Sequence, residues 1–366
     1  MIYFDHNATT PLDERVLEAM LPYLGSIYGN PSSLYRLARI ARSAIDTARE
    51  QVAAFIDAQP GQVIFTSGGT EANMLALANS GDSTVVISAI EHPSIFENAH
   101  ALPRQCKILP VDHTGQVDLG FLENLGLQSG DFLSVMLANN ETGVIQDVTR
   151  IVEYFSEQAI VIHSDAVQAL GKIPVSFKKL GVQMMSLSSH KIYGPKACGA
   201  LVFDQGLRLK PMIRGGFQEF GLRAGTKNVA AIVGFGKAAE LAKSEFEQRI
   251  AKLQCLKDKL ERMLPVIPGL TVFAQHSPRL PNTLQFGIAG IKGEMLLMQL
   301  DKQNIAVSSG SACAASSDEI SPVLSAMGVE PELARGAIRL SLGKDNNEQE
   351  VDQFVGVLKT LLRISE

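Results

Sequence analysis

The sequence predicts an α/β fold with a mostly parallel sheet, followed by a smaller α+β unit. Three observations predict it. Short apolar runs alternate with helix-compatible segments through the first two thirds of the chain. Several of those runs are nearly continuous in apolar residues, as strands covered on both faces are. After about residue 229 the texture changes, and one long helical stretch gives way to shorter strands and helices.

Taken in order, residues 36–57 place Leu37, Ile40, Ala44, Ile45, Ala48, Val52 and Phe55 on one face at helical spacing. Strands are expected at 63–65, 85–90, 107–111, 132–138, 160–163, 184–187 and 200–203, with helix-compatible segments between many of them. Residues 229–264 read as one long helical region, apolar first and then charged, ended by Pro265, Pro268 and Gly269. Beyond it, strands at 270–273, 283–286 and 337–342 alternate with helices at 293–303 and 349–362. No internal repeat or low-complexity tract is visible.

Composition narrows the function classes. Of 366 residues, 46% are hydrophobic and 19% charged, enough for a substantial core and without a signature of disorder. A net charge of −5 gives no general attraction to nucleic acid or anionic lipid. No apolar run approaches the ~18 residues of a membrane span. Asp5 and His6 stand where a signal peptide would carry its apolar core, so export is not expected. Cys106, Cys198, Cys255 and Cys313 are scattered without a CxxC pair. That is neither a disulfide framework nor a zinc site, so no metal is expected, and it fits a reducing cytoplasm.

The chemistry-bearing residues fall largely at strand ends. TSGGTEANMLAL follows the strand VIF and opens a helix; Gly68 and Gly69 allow a tight turn, and Thr70 lies at or next to the N-cap. Backbone N–H groups and the helix dipole make such a turn an anion site suited to phosphate, although Ser-Gly-Gly-Thr is also an ordinary turn and cap. EHPSI puts His92 after TVVISAI, where an imidazole can stack on a ring or simply fix a loop before proline. ANNETG offers Asn140 after FLSVML. HSDAVQALGK puts Asp165 near the C-terminal end of a strand, where open α/β sheets build ligand crevices. The acid can cap a neighbouring helix, or it can hold a pyridine nitrogen protonated as pyridoxal phosphate chemistry demands, with Gln168 near the ring's phenolic oxygen.

SLSSHKIYGPK carries Ser188, His190 and Lys191 together, ahead of the chain-fixing Gly194-Pro195. A Schiff-base lysine needs its pKa lowered and its amine aimed, and neighbouring polar or cationic groups do both. SSGSACAAS, residues 308–316, sets Cys313 among Ser, Ala and Gly, with nothing large enough to bury the sulfur. The thiol is either a small hydrophobe in a tight turn or an accessible nucleophile.

With these parts assembled, the sequence resembles the pyridoxal-phosphate cysteine desulfurases of aminotransferase class V. The resemblance runs from YFDHNATTP and GNPSS through TSGGTEAN, EHPSI, NNETG, HSDAVQ, SSHKIYGPK and RAGT to SSGSACAAS and IRLSLG. It implies the aspartate-aminotransferase-like fold type I, with a large cofactor domain over residues 12–250 and a small domain of residues 1–11 and 251–366. It further implies that Lys191 forms the internal aldimine, Asp165 pairs with the pyridine nitrogen and His92 stacks on the ring and helps in proton transfer. Gln168 and Asn140 would contact the ring oxygen, Asn140 also lying near substrate. Gly69, Thr70, Ser188 and His190 would hold the phosphate, joined by Thr226 from the other subunit of a homodimer. Arg339 would grip the substrate carboxylate, a bidentate task suited to guanidinium. Cys313 would accept sulfur from L-cysteine, leaving L-alanine, and pass it to a protein acceptor or iron–sulfur scaffold.

Departures from the family pattern are Phe217 in place of the usual glycine, Phe220 in place of a common basic residue, and Cys198 in place of an aliphatic one, expected to be a buried core thiol. The sequence also ends soon after its last expected helix, so an extended tail of the kind that some members use to dock a scaffold is not expected. Two other readings stand beside the desulfurase: a class V aminotransferase or selenocysteine lyase-like enzyme in which Cys313 is incidental, and a non-enzymatic sulfur-relay or scaffold subunit. Lys191, Asp165 and His92 argue against the last.

Overall fold

The computed structural model describes residues 1–309 and 320–362. The chain begins with β1 (Ile2–Tyr3), α1 (Glu14–Leu24) and α2 (Arg36–Phe55). Strands and helices then alternate as β2 (Val63–Thr66), α3 (Gly69–Ala78), β3 (Val85–Ser88), α4 (Pro93–Ala101), β4 (Cys106–Leu109) and β5 (Phe132–Ser134). They continue as α5 (Val148–Tyr154), β6 (Val161–Asp165), α6 (Phe177–Leu180), β7 (Met184–Ser188) and β8 (Gly199–Phe203). The later part holds α7 (Val229–Ser244), α8 (Phe246–Met263), β9 (Leu270–Val272), β10 (Thr283–Ile288), α9 (Gly293–Lys302) and β11 (Ile305–Ala306). It closes with α10 (Pro322–Ala326), α11 (Pro331–Arg335), β12 (Ile338–Ser341) and α12 (Glu348–Leu361).

Strands β2 to β8 form one seven-stranded sheet in the order β2-β8-β7-β6-β5-β3-β4. Its pairings are parallel from β4 through β7, and β8 runs antiparallel to both of its neighbours. Successive side chains serve opposite faces, the period-two rule of a strand. Val63, Phe65, Val86, Leu133, Ile162 and Met185 join the core beneath α2 and α7. Ile64, Val85, Ile87, Phe132 and Met184 join the one beneath α3 and α4. Both faces are therefore dry, which is why these strands read as unbroken apolar runs.

A second assembly pairs β12, β10 and β9 in an antiparallel sheet. Its core holds Phe286, Ile338, Leu340, Val351 and Phe354 together with Ile2 and Phe4 from the chain start. The N-terminal segment reaches it because β1 pairs with β11 and Asp5 bridges to Ser341. Residues 5–10 are thus drawn across the edge of the large sheet, a position with consequences for the site.

The structure corrects two expectations. The single helix expected over 229–264 is two, α7 and α8, joined at Glu245. Each half follows its own core: Phe235, Ala238 and Ala242 pack with the large sheet, while Leu253, Leu256 and Leu260 pack with the small one. The strand expected over 132–138 keeps its ladder only to Ser134. Beyond it, Val135 and Leu137 still donate to the carbonyls of His163 and Asp165 at 3.0 and 2.9 Å, and so carry the chain along β6 to Asn140.

Candidate active site

Because every strand but β8 of the large sheet points the same way, the segments after β2, β3, β5, β6 and β7 emerge on one rim. The strand order leaves a problem: β8 separates β2 from β7, so the glycine turn after β2 must reach across it. Gly199 solves it. A Cβ there would lie 2.5 Å from the Gly68 carbonyl carbon, so only glycine lets the turn press against β8. The turn then opens α3 with Gly68 as N-cap and Thr70 inside the first turn, two positions past the N-cap.

The rim encloses a cavity of about 270 Å³, close to the ~300–1,000 Å³ usual for ligand sites. Gly69, Thr70, His92, Asn140, Asp165, Gln168, Ser188, His190 and Lys191 all line it. Of the expected cofactor residues, Thr226 alone does not line it; it is exposed on the surface. Cys313 lies outside the described residues.

Asp165 ends β6 and is buried. One carboxylate oxygen accepts from Asn73 Nδ2 at 2.7 Å and the other from the Val167 N–H at 2.9 Å. His92 caps α4: its Nδ1 accepts from the Ser94 N–H at 3.1 Å and lies 2.8 Å from Ser94 Oγ. With Nδ1 an acceptor, the neutral ring carries its proton on Nε2. Burial lowers the His92 pKa, the Asp165 charge opposes that, and Lys191 adds to it. Glu91 lies just behind, its Oε1 held by Ser88 Oγ and the Met136 N–H, each at 2.6 Å. Burial first, and then Asp165, push it up to about 8, so it is uncharged at neutral pH.

Lys191 Nζ donates to the backbone carbonyls of Asn7 and Ala8, the latter at 2.8 Å. Burial and the Arg339 guanidinium bring its pKa down to about 8. The amine therefore loses its proton within reach of neutral pH, as a Schiff-base lysine requires. His190, with Nδ1 3.1 Å from Thr9 Oγ1, is brought down to about 4 by burial and by Lys191. Arg339 donates to Asp5 Oδ1 at 2.7 Å and to the Asn140 carbonyl at 3.1 Å, and its buried Nε has no partner among the described residues. The guanidinium does not itself line the cavity; it reaches it through the carbonyl of Asn140, which does.

The parts fit a phosphorylated pyridine aldehyde. An amine of lowered pKa shares the cavity with a helix N-terminus, two hydroxyls and an imidazole, and an oriented carboxylate lines the same space. Gly69 completes the cradle, since a Cβ there would meet Val167 Cγ2 at 3.0 Å. The match to known proteins follows the same line: residues 2–354 match the model described as aminotransferase class-V.

The chain belongs to the aminotransferase class-V family.

Among relatives in this family, the chain is 41% identical to the protein named cysteine desulfurase IscS of Dictyoglomus turgidum, covering 99% of this chain and 94% of that one. It is 40% identical to the cysteine desulfurase IscS of Methanosarcina thermophila, over 99% and 92%. Its structure is similar to a NifS-like protein from Rickettsia africae, with a TM-score of 0.92 and 36% identity over 99% of each chain. It is also similar to SspA in complex with cysteine, with a TM-score of 0.82 and 28% identity over 94% of this chain and 99% of that one. Class-V enzymes of this kind depend on pyridoxal 5′-phosphate, and that is the cofactor of this chain.

The structure adds residues that strand-end reasoning passed over. Asn73 orients Asp165, and Ser94 orients His92 while accepting from Asn73 at 2.9 Å. Asn7 uses its backbone and its amide to tie Asn140, Gln168, Lys172, Lys191 and Ser341 together. Asn7 and Asn73 sit inside the quoted motifs DHNATTP and TSGGTEAN, which was the available signal. Cys198 is buried as expected, and burial pushes its thiol far up, so it is no nucleophile.

Proposed function

We propose that this enzyme is a cysteine desulfurase, converting L-cysteine to L-alanine and leaving the sulfur as a persulfide on Cys313. The observation that carries the reading is Lys191: a buried amine brought to about 8, facing Asp165 and His92 across one cavity, in a chain that also holds the SSGSACAAS segment. When bound, the cofactor supplies an electron sink for the bonds broken at the substrate's Cα and Cβ. Gly69, Thr70, Ser188 and His190 would hold its phosphate, Asp165 its ring nitrogen and Gln168 its ring oxygen, with His92 over the ring.

Arg339 takes the substrate carboxylate and fixes which Cα bond faces Lys191. Lys191 Nζ, neutral above about pH 8, takes the Cα proton as general base. The Cys313 thiolate attacks the substrate sulfur; the Cβ–S bond breaks as the S–S bond forms, and Cβ ends protonated as the methyl of alanine. The balance is one L-cysteine and one thiol in, one L-alanine and one persulfide out. His92, with its proton on Nε2, is the group available to return a proton from the ring side.

We assign residues 12–250 to a large domain and residues 1–11 with 251–366 to a small one, a division supported by the core that Ile2 and Phe4 share with Phe286 and Phe354. We further assign a homodimer in which Thr226 completes the partner's phosphate site. Thr226 is exposed away from its own cavity, and Phe217, 88% exposed, and Phe220 lie in the same loop. Covering each ring fully is worth roughly 1.5–3 kcal/mol. Mixing Thr226→Ala with Lys191→Ala subunits tests this: shared sites leave one intact site in each mixed dimer and restore activity, whereas self-contained sites restore none. Among the described residues no helix is long and apolar enough to cross a membrane. We place the enzyme in the cytoplasm, on the scattered cysteines, and its sulfur acceptor among proteins, an iron–sulfur scaffold being one class.

The activity is tested by incubating the purified holoenzyme with L-cysteine and excess thiol, then measuring sulfide and alanine together. Equal amounts of both are expected. A keto acid in place of alanine would point to a transaminase.

A further inference from the structure

A second lysine lies under the first. Lys172 is buried at the end of the turn that follows β6. Its Nζ donates to Gln168 Oε1 at 2.7 Å and to Asn7 Oδ1 at 2.8 Å. Gly171, just before it, has φ +73°, and a Cβ there would meet Ile192 Cγ2 at 2.8 Å, so the turn carrying Lys172 is fitted against the residue next to Lys191. Burial, followed by the neighbouring Lys191 and Arg339 charges, lowers the Lys172 pKa well below its ordinary value. The two side-chain oxygens facing it, from Gln168 and Asn7, both accept from it. Enclosing an amine beside two other cations is a poor way to gain stability, because an apolar side chain of similar size carries no desolvation cost.

What the amine does is fix an amide. Gln168 lines the cavity, and its two ends differ: Oε1 accepts from Lys172, and Nε2 donates to the Asn7 carbonyl at 3.0 Å. Turning the amide over would face Oε1 to a carbonyl and Nε2 to an amine, losing both bonds. Held as it is, Gln168 has one N–H left over, and an N–H is what a phenolic oxygen carrying negative charge needs. The same Asn7 carbonyl receives Lys191 Nζ, so Lys172, Gln168, Asn7 and Lys191 form one connected set.

We infer that Lys172 is a positioning residue, which acts through Gln168 by holding its amide with the N–H side available to the cofactor's ring oxygen. This rests on the reading of Gln168 as the ring-oxygen donor. A donor there favours the form of the bound cofactor with more negative charge on oxygen, which is the deprotonated form, so losing the donor moves the absorbance titration to higher pH.

The test follows cofactor absorbance against pH in the holoenzyme for the parent, K172M, Q168A and the double variant, with thermal melting of each as a check on folding. K172M and Q168A should each raise the midpoint by about one pH unit, the worth of one hydrogen bond to a charged group. The double variant should shift no further than either. K172Q, which keeps an N–H donor, should stay at the parental midpoint and keeps the test open if K172M melts early. Additive shifts, a K172M midpoint equal to the parent's, or a K172Q midpoint equal to that of K172M would overturn the inference while leaving Gln168 in its role. An unshifted Q168A would remove that role, and the inference with it.

Discussion

Strand β6 carries two buried polar residues on one face, two positions apart, and they have opposite roles. His163 is fully enclosed; its Nδ1 lies 2.9 Å from Ser134 Oγ and its Nε2 2.9 Å from Ser186 Oγ, hydroxyls of the two flanking strands. Its ring stacks on Phe132 with centroids 6.1 Å apart. Every polar atom it has is used by the protein. Asp165 is held just as firmly by Asn73 and Val167, yet its carboxylate faces a cavity shared with His92 and Lys191. Burial and a full set of fixed hydrogen bonds are common to both residues and distinguish neither. What separates a structural polar residue from a chemical one here is whether it faces a space where a ligand can sit.

That contrast is tested most severely at Asp165. Asn in its place keeps one acceptor, enough for the Val167 N–H, and turns an N–H₂ group towards Asn73, whose own Oδ1 has no partner among the described residues, so folding and phosphate anchoring should persist. The neutral amide no longer stabilises a protonated pyridine, and kcat should fall by about a hundredfold or more, the scale for removing one preorganised electrostatic contact. A folded Asp165→Asn enzyme with parental kcat would make Asp165 another His163.

The opposite outcome is expected two residues earlier. His163→Leu strands two seryl hydroxyls and should cost about 1–3 kcal/mol for each one left unsatisfied, read by denaturant melts, with kcat per folded enzyme unchanged. Burial alone brings His163 down to about 3, whereas an unfolded chain takes up the proton near the ordinary 6.5. Its neutral form therefore contributes to stability in full above pH 6.5, and that contribution is lost as pH falls from there towards 3. His163→Leu should flatten this part of the acid slope. An unchanged slope, or a large drop in kcat, would contradict the assignment.

The same distinction explains how much of the molecule was legible. The strand-end series His92, Asn140, Asp165 and Lys191 could be read because a parallel sheet delivers its C-terminal ends to one rim whatever the details. The second layer could not. Asn7 and Lys172 are 165 residues apart in the chain and meet only because β1 pairs with β11, a two-residue contact with no periodicity to announce it. Asp5 is hidden for the same reason, and its ion pair with Arg339 spans most of the sequence. The joint at Glu245 escaped because local helix propensity continues through it; the division between two cores ends α7, and no local breaker does. The loop of Phe217 and Phe220 departs from the family pattern, but it is anchored by Glu219, which takes Arg49 through two bonds of 2.8 Å beneath β2.

The most direct test of the central claim, that Lys191 and Cys313 act on one cysteine molecule, is a single turnover without added thiol. The holoenzyme is mixed with limiting L-cysteine, quenched, and analysed for free alanine and for peptide masses. One alanine per cysteine consumed, with one extra sulfur atom on the peptide that carries Cys313, is the predicted result. Alanine formed while Cys313 stays unmodified, or the added sulfur found on Cys106, Cys198 or Cys255, would contradict it.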